Sequence, residues 1–418
     1  MIAKAALASE IADSARTHEL RMKEVRRYLH RHPELSGQEY RTTEFLAEII
    51  ADLGLSPQLA DDDRGLFVDI GGSAWEPRIA IRADMDALPI RTRLDAEYAS
   101  RVDNVMHACG HDVHAAIGFG VVLMLNDLAT RRIPIHARVI FQPEEETSRG
   151  AIHMIESGAL EQIEAAIALH VDSSRPVGTM AVRDGALTAG CDTFTCEILG
   201  RGGHGARPHL TGDTVGAAAQ WITDVYRRVP RSTDARDAVV LNVGSIRSGA
   251  AANVVPASAE MTGTLRSLDS TSTDQAKRVM HDISTAIASA HRCEVNLNFD
   301  RHTPEMRNDV VINRLLQEAG CELLNEKNVR VMEKPSMGAE DFAFIADRVP
   351  AAMFRLGVAG IDIGHEPLHT PKFDVDESAM PLGAGVLTLA AKLWSDSATR
   401  KRNGYSRHAR RPDGHEVP

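Results

Sequence analysis

The sequence predicts an α/β fold: a mostly parallel sheet with helices on both faces, into which a smaller α+β sandwich is inserted. Three observations lead there. Short runs rich in Ile, Val and Ala (Leu66 to Ile70, Ile79 to Arg82, Ala137 to Phe141, Ala351 to Val358) read as buried strands. A long helical pattern from about Val113 to Leu128 lies between two of them, and βα alternation of this kind favours parallel pairing. From Asp192 to about Asp300 the order is strand, helix, strand, strand, helix, strand, which is self-contained.

The 418 residues exceed the roughly 250–300 at which one core stops growing, so two domains are expected. The larger would be discontinuous, spanning 1–188 and 306–396, and the insert 189–305. Near the N-terminus, Leu20 through Leu53 has helical spacing broken by HRHPELS, where Pro33 marks a boundary and Ser36 is expected to cap the next helix. In the insert, TVGAAAQWITDVYRRV and TDQAKRVMHDISTAIASA read as helices, and TFTCEILG, AVVLNVGSI, AEMTGTLRS and EVNLNF as strands. MPLGAGVLTLAAKLW reads as a closing helix. The basic, polar stretch 397–418 has too little apolar surface to order itself and is expected to be a disordered tail.

Composition narrows the function. With 47 basic and 58 acidic residues the formal net charge is −11, which argues against nucleic acid or an anionic membrane as partner and for a small-molecule substrate. No apolar stretch is expected to reach the roughly 20 residues that cross a bilayer, and acids interrupt the N-terminal segment where a signal peptide needs an apolar core. A cytoplasmic location is expected. Five scattered cysteines form no disulfide framework.

The chemistry gathers where the apolar runs end. Such sheets bind ligands beyond their strand carboxyl ends. RIAIRADMD closes on Asp84 and Asp86, ARVIFQPEEE on Glu144, Glu145 and Glu146, and AAIALH on His170. HACGHDVHA offers Cys109, His111, Asp112 and His114 within six positions, a donor set suited to zinc or a neighbouring divalent metal. Three adjacent carboxylates repel unless a cation holds them, and metal-assisted hydrolysis needs one as ligand and one as proton acceptor, roles open to Glu145 and Glu146. Asp84 and Asp86 are read as carboxylates that orient ligand histidines. His170 and His369, in EPLHTPKFD, are further imidazole candidates. In the insert, glycines flank His204, and Asn253 and Arg266 are candidates to hold a substrate carboxylate.

Taken together, HRHPELS at 30–36, RADMDALP at 82–89, HACGHD at 107–112, QPEEE at 142–146, ALHV at 168–171, GGHGARPH at 202–209, NVVP at 253–256, GTLRS at 263–267, MGAEDFAF at 337–344 and LHTPKFD at 368–374 resemble the M20 metallopeptidases. The resemblance points to the N-acyl-amino-acid amidohydrolases that include hippurate and indole-acetyl-amino-acid hydrolases. It implies two divalent metals, zinc or manganese with cobalt or nickel as options, on Cys109, His111, Glu146, His170 and His369, with Glu145 as general base. It also implies that the smaller domain dimerises and lends His204 to the partner's site, while Asn253 and Arg266 receive the substrate carboxylate; a homodimer or higher homo-oligomer follows. Glu144 departs from the pattern, standing where a small residue is usual, and TSRGA replaces a glycine-rich run; both bear on the acyl pocket. The expected reaction is cleavage of an N-acyl-L-amino acid to carboxylic acid and amino acid. A deacetylase acting on N-acetyl-diaminopimelate or a dipeptidase is the alternative; a non-catalytic binding relative is disfavoured because no ligand or base position is missing.

Overall fold

The computed structural model describes residues 2–72, 76 and 78–408. The chain forms two compact units: Met1–Gly185 with Asn308–Glu333 and Ile345–Pro418, and Ala186–Arg307 with Lys334–Phe344. The second unit thus takes in a segment, 334–344, that the sequence reading left in the larger domain. Ser336 explains its allegiance: its amide donates to Leu187 O at 2.9 Å, and its carbonyl accepts from Ala189 N at 3.0 Å.

In the first unit an eight-stranded sheet runs in the order Gln58–Leu59, Leu66–Ile70, Ala137–Gln142, Arg78–Asp84, Ile163–Pro176, Ala351–Ala359, Met180–Val182, Val329–Val331. Arg78–Asp84 pairs in parallel with both neighbours, and Ile163–Pro176 pairs in parallel with Ala351–Ala359. Every residue of Arg78–Asp84 is buried, as expected of a central parallel strand covered on both sides. Ile79, Ile81 and Ala83 share one core with Val139, Phe141, Ile167 and Leu169 and with residues of the helices Glu19–Arg31, His111–Thr130, Val310–Leu324 and Ala379–His408. The consequence for chemistry is register: Asp84 lies opposite Gln142, and Arg82 opposite Ala168, so that Asp84, the turn after Gln142 and His170 stand at one level of the sheet.

Three sequence expectations are corrected. Ser36 caps no helix; its hydroxyl donates to the buried Asp86 carboxylate at 2.7 Å, and the next helix, Tyr40–Ala51, begins after Glu39. The closing helix continues through His408, so residues 397–408 are helical, because extending a nucleated helix adds one hydrogen bond per residue fixed; 409–418 lie outside the described residues. His111–Thr130, 20 residues long, is apolar enough to cross a membrane by length and composition, contrary to the sequence reading, but it is a core helix buried within its unit.

The second unit is a four-stranded antiparallel sheet, ordered Val239–Ser248, Ser258–Ser267, Gly190–Leu199, Glu294–Thr303, with the helices Thr214–Arg228 and Ser270–His291 packed on one face. Burial alternates strictly along Gly190–Leu199, placing Phe194, Cys196 and Ile198 in the core. Asp213 and Asp269 cap the helices by accepting from the backbone amides of Gly216 and Ser272. Trp221 is fully buried, with Nε1 donating to Ser284 Oγ at 2.9 Å. Trp221→Ala is expected to destabilise this unit by about 3–5 kcal/mol, read as a lower denaturant midpoint.

Candidate metal centre

The first unit brings six chemically active side chains to the carboxyl end of its sheet. His111 opens the helix His111–Thr130, and Gly110 before it has φ 86°, a left-handed conformation that glycine adopts without strain. A Cβ at Gly110 would also come within 2.5 Å of Val171 Cγ2, so the turn requires glycine. It presents Cys109 and His111 to a common point. His369 sits at φ 63°, unusual for a non-glycine residue, and its amide donates to Ala108 O at 2.7 Å, tying its loop to the cysteine loop.

Cys109 Sγ is 3.5 Å from His170 Nε2 and 3.4 Å from His369 Nε2, and His369 Nε2 is 3.2 Å from Glu146 Oε1. For metal–sulfur and metal–nitrogen bonds of about 2.3 and 2.0–2.1 Å, a tetrahedral edge is roughly 3.5 Å, so this spacing suits ligands around one ion. Cys109, His111 and His170 form one group of close ligand atoms, Cys109, Glu146 and His369 a second, and His111, Glu145 and Glu146 a third. The groups overlap, so adjacent cations would share ligands. His111 Nε2 is buried without a hydrogen-bond partner among the described residues, as an atom meant for a cation should be.

The surroundings fix which nitrogen is offered. His111 Nδ1 lies 3.0 Å from Asp86 Oδ1, so its proton points to the carboxylate and Nε2 faces the site. His170 Nδ1 donates to Val171 O at 2.8 Å, turning its Nε2 toward Cys109. Asp86 also accepts from the Glu146 amide at 3.0 Å, which anchors the QPEEE turn. His114, by contrast, has both nitrogens engaged: Nε2 accepts from Val171 N at 3.0 Å and Nδ1 donates to Asp84 at 2.6 Å. Asp84 thus orients His114 rather than a member of the five-residue donor set, and also accepts from Arg82 at 2.6 Å. Glu144 turns away, accepting from Arg64 at 3.1 Å and from Thr147 at 2.9 Å.

Charge balance also favours a cation. Burial pushes the Cys109 thiol above its usual range, so ionising it in place needs a positive neighbour. Burial alone would depress His111, but Asp84, with Cys109 and Asp86, reverses this and holds it well above the ordinary histidine value. The pocket wants positive charge beside Nε2.

The sequence reading missed what braces these loops. Arg26, fully buried, donates to Asp112 at 2.9 Å and to Asp374 at 2.6 Å; His30 Nδ1 also meets Asp112 at 2.8 Å, and Tyr98 donates to Asp374 at 2.8 Å. This network joins the HRHPELS, HACGHD and LHTPKFD segments. Asp112, read as a possible ligand, is therefore a brace. The signal was an arginine one turn before His30, and nothing in a single sequence ranks it above Arg27 or Arg31.

In the second unit His204 is exposed, paired across a two-stranded ladder with Val254, and its Nδ1 accepts from Ala206 N at 3.1 Å. Asn253 is exposed and its carbonyl accepts from Gly205 N at 2.8 Å, which places it beside the His204 strand. Arg266 lies on the four-stranded sheet and gives one guanidinium N–H to Met337 O at 3.0 Å.

A mostly parallel sheet with a thiol, imidazoles and carboxylates at its strand ends, in a chain that also carries a separate α+β unit, defines a metal-dependent hydrolase. Residues 80–393 match peptidase family M20/M25/M40, and the chain belongs to that family. It is 38% identical over 392 residues to a probable hydrolase of Synechocystis, covering 93% of this chain and 100% of that one. It is 34% identical to an N-acetyl-L-cysteine deacetylase of Bacillus subtilis, covering 89% of this chain and 88% of the relative. Among solved structures, a dinuclear metal-binding M20 peptidase of Bacillus subtilis superposes with a TM-score of 0.79 at 30% identity, covering 91% and 99% of the two chains.

Asp86→Asn is expected to weaken metal binding about 10–100-fold without unfolding the protein, measured by competition with a chromogenic chelator.

Proposed function

We propose that the chain hydrolyses the amide bond of N-acyl-L-amino acids, releasing a carboxylic acid and the free amino acid, and that Cys109, His111, Glu146, His170 and His369 hold two divalent cations for the purpose. One observation carries the ligand assignment: Cys109 Sγ lies within 3.5 Å of Nε2 of both His170 and His369, while His111 Nε2 is buried beside it without a hydrogen-bond partner among the described residues. The Bacillus subtilis relatives, one named for removing the acetyl group of N-acetyl-L-cysteine and one for binding a dinuclear metal centre, support the same reading. Zinc or manganese suits this thiolate, imidazole and carboxylate set, with cobalt or nickel also compatible. A free thiol ligand suits a reducing compartment such as the cytoplasm.

When bound, the cations supply Lewis acidity, making a water acidic enough to attack near neutral pH and polarising the acyl carbonyl. Glu145 is the proton carrier. Its carboxylate oxygen stands 4.0 Å from His111 Nε2, on the rim of the donor cluster, where it can take a proton from the attacking water and return it to the leaving amine. His204, with Nδ1 held by Ala206 N, would present Nε2–H to the oxygen on which negative charge develops, and we propose that it reaches a partner subunit's site in a homodimer. Asn253 and Arg266 would meet the substrate carboxylate.

Glu145→Gln should keep full metal content and lose turnover by several orders of magnitude, whereas Cys109→Ala should lose metal. Full activity in the Glu145 variant, assayed on a panel of acetyl, benzoyl, indole-acetyl and long-chain acyl conjugates, removes the general-base role. His204→Ala should cost about 10²–10³ in rate with substrate binding retained. Mixing His204→Ala with Glu145→Gln protein under subunit exchange should restore activity if the histidine acts across the dimer; a mixture as inactive as its components excludes this.

A further inference from the structure

The strand Ala351–Ala359 is buried at every position but one. The exception is Arg355, half-buried, which pairs directly with His170 on the neighbouring parallel strand. Adjacent strands lie about 4.8 Å apart and directly paired residues project to the same face, so the guanidinium leaves the sheet beside the imidazole proposed as a metal ligand.

Arg355 makes no hydrogen bond or ion pair among the described residues, in contrast to the other arginines of this region. Arg26 is held by Asp112 and Asp374, Arg82 by Gln142 and Asp84, and Arg64 by Asp62 and Glu144. A half-buried guanidinium without a partner is costly, and next to a site that attracts cations it is more so, because like charges repel. An anion that arrives with the substrate removes both costs. A planar carboxylate fits best, since the guanidinium fork can grip it through two parallel hydrogen bonds.

We infer that Arg355, unpartnered on the strand directly beside His170, is a specificity-determining residue that binds a carboxylate of the substrate. This rests on the amide-hydrolase reading above for the identity of the substrate. The carboxylate has two sources to separate: the α-carboxylate of the amino acid, which Arg355 would then share with Asn253 and Arg266, or an acid group on the acyl chain. In either case Arg355 selects for a substrate with negative charge close to the scissile bond.

The test uses the full-length, metal-loaded enzyme, with Arg355→Leu and Arg355→Lys compared on three probes: N-acetyl-L-methionine, its C-terminal amide, and N-succinyl-L-methionine amide. Arg355→Leu is expected to raise KM about 10–100-fold for the probe whose carboxylate it grips, with kcat nearly unchanged and metal content intact. KM for the uncharged acetyl amide should not move, and Arg355→Lys should recover part of the loss. A loss confined to N-acetyl-L-methionine assigns the α-carboxylate; one confined to the succinyl amide assigns the acyl chain. Equal effects on all three probes, unchanged KM throughout, or a loss of metal would overturn the proposal in favour of a structural role or mere tuning of His170. If the parent enzyme cleaves none of the probes, the hydrolytic reading fails separately. Calorimetric binding of the same three compounds then decides Arg355, with the charged probe expected to lose affinity in Arg355→Leu and the acetyl amide expected not to.

Discussion

The Asp86 carboxylate is the interaction on which the site depends. One oxygen fixes the His111 tautomer; the other receives the Glu146 amide and the Ser36 hydroxyl. A single buried anion therefore aims one imidazole, sets the turn that carries Glu145 and Glu146, and pins the segment that follows the helix Glu19–Arg31. Burial alone would raise its pKa, but the contacts with His111, Ser36 and the Glu146 amide outweigh this and keep Asp86 below its ordinary value. An ionised carboxylate in that position orients a neutral or cationic partner at His111 more strongly than an amide of the same shape, which keeps an acceptor oxygen but loses the charge.

Behind this lies a second constraint. The donor set comes from four separate places in the chain, and loops of that kind hold geometry only when something rigid backs them. Arg26 supplies the backing by spanning Asp112, on the helix that starts at His111, and Asp374, five residues beyond His369. Removing one partner of so buried an ion group leaves an uncompensated charge, which is why Asp112 and Asp374 belong to the site although neither faces a cation. The left-handed turns at Gly110 and His369 then complete the placement, the first by glycine and the second against its own conformational preference.

Much of this was legible in the sequence, for identifiable reasons. Strands and helices with a strong apolar period, such as Ala137–Gln142 and Ser270–His291, appear within a few residues of where the pattern put them. The donor residues also stood out because acids, a thiol and histidines follow directly on buried runs. What stayed hidden was pairing over long sequence separation. Ser36 has the chemistry of a helix cap, and only the fold reveals that Asp86 competes for it. His114 looks as good a ligand as His111 until the Val171 amide and Asp84 are seen to occupy both its nitrogens. Glu144 looked like a change in the acyl pocket, yet Arg64, 80 positions away, draws it aside. Arg355 was invisible for the same reason: its neighbour His170 lies far off in sequence and beside it only in the sheet.

The central claim is that one thiolate and three imidazoles, with Glu146, close around a pair of divalent cations. The most direct measurement is to load metal-free protein with cobalt, count bound ions by elemental analysis, and record the ultraviolet charge-transfer band that only a thiolate–cobalt bond gives. The account predicts two cobalt ions per chain and a band that disappears in Cys109→Ala. Saturation below stoichiometric levels, or two ions bound with no thiolate band, would contradict it.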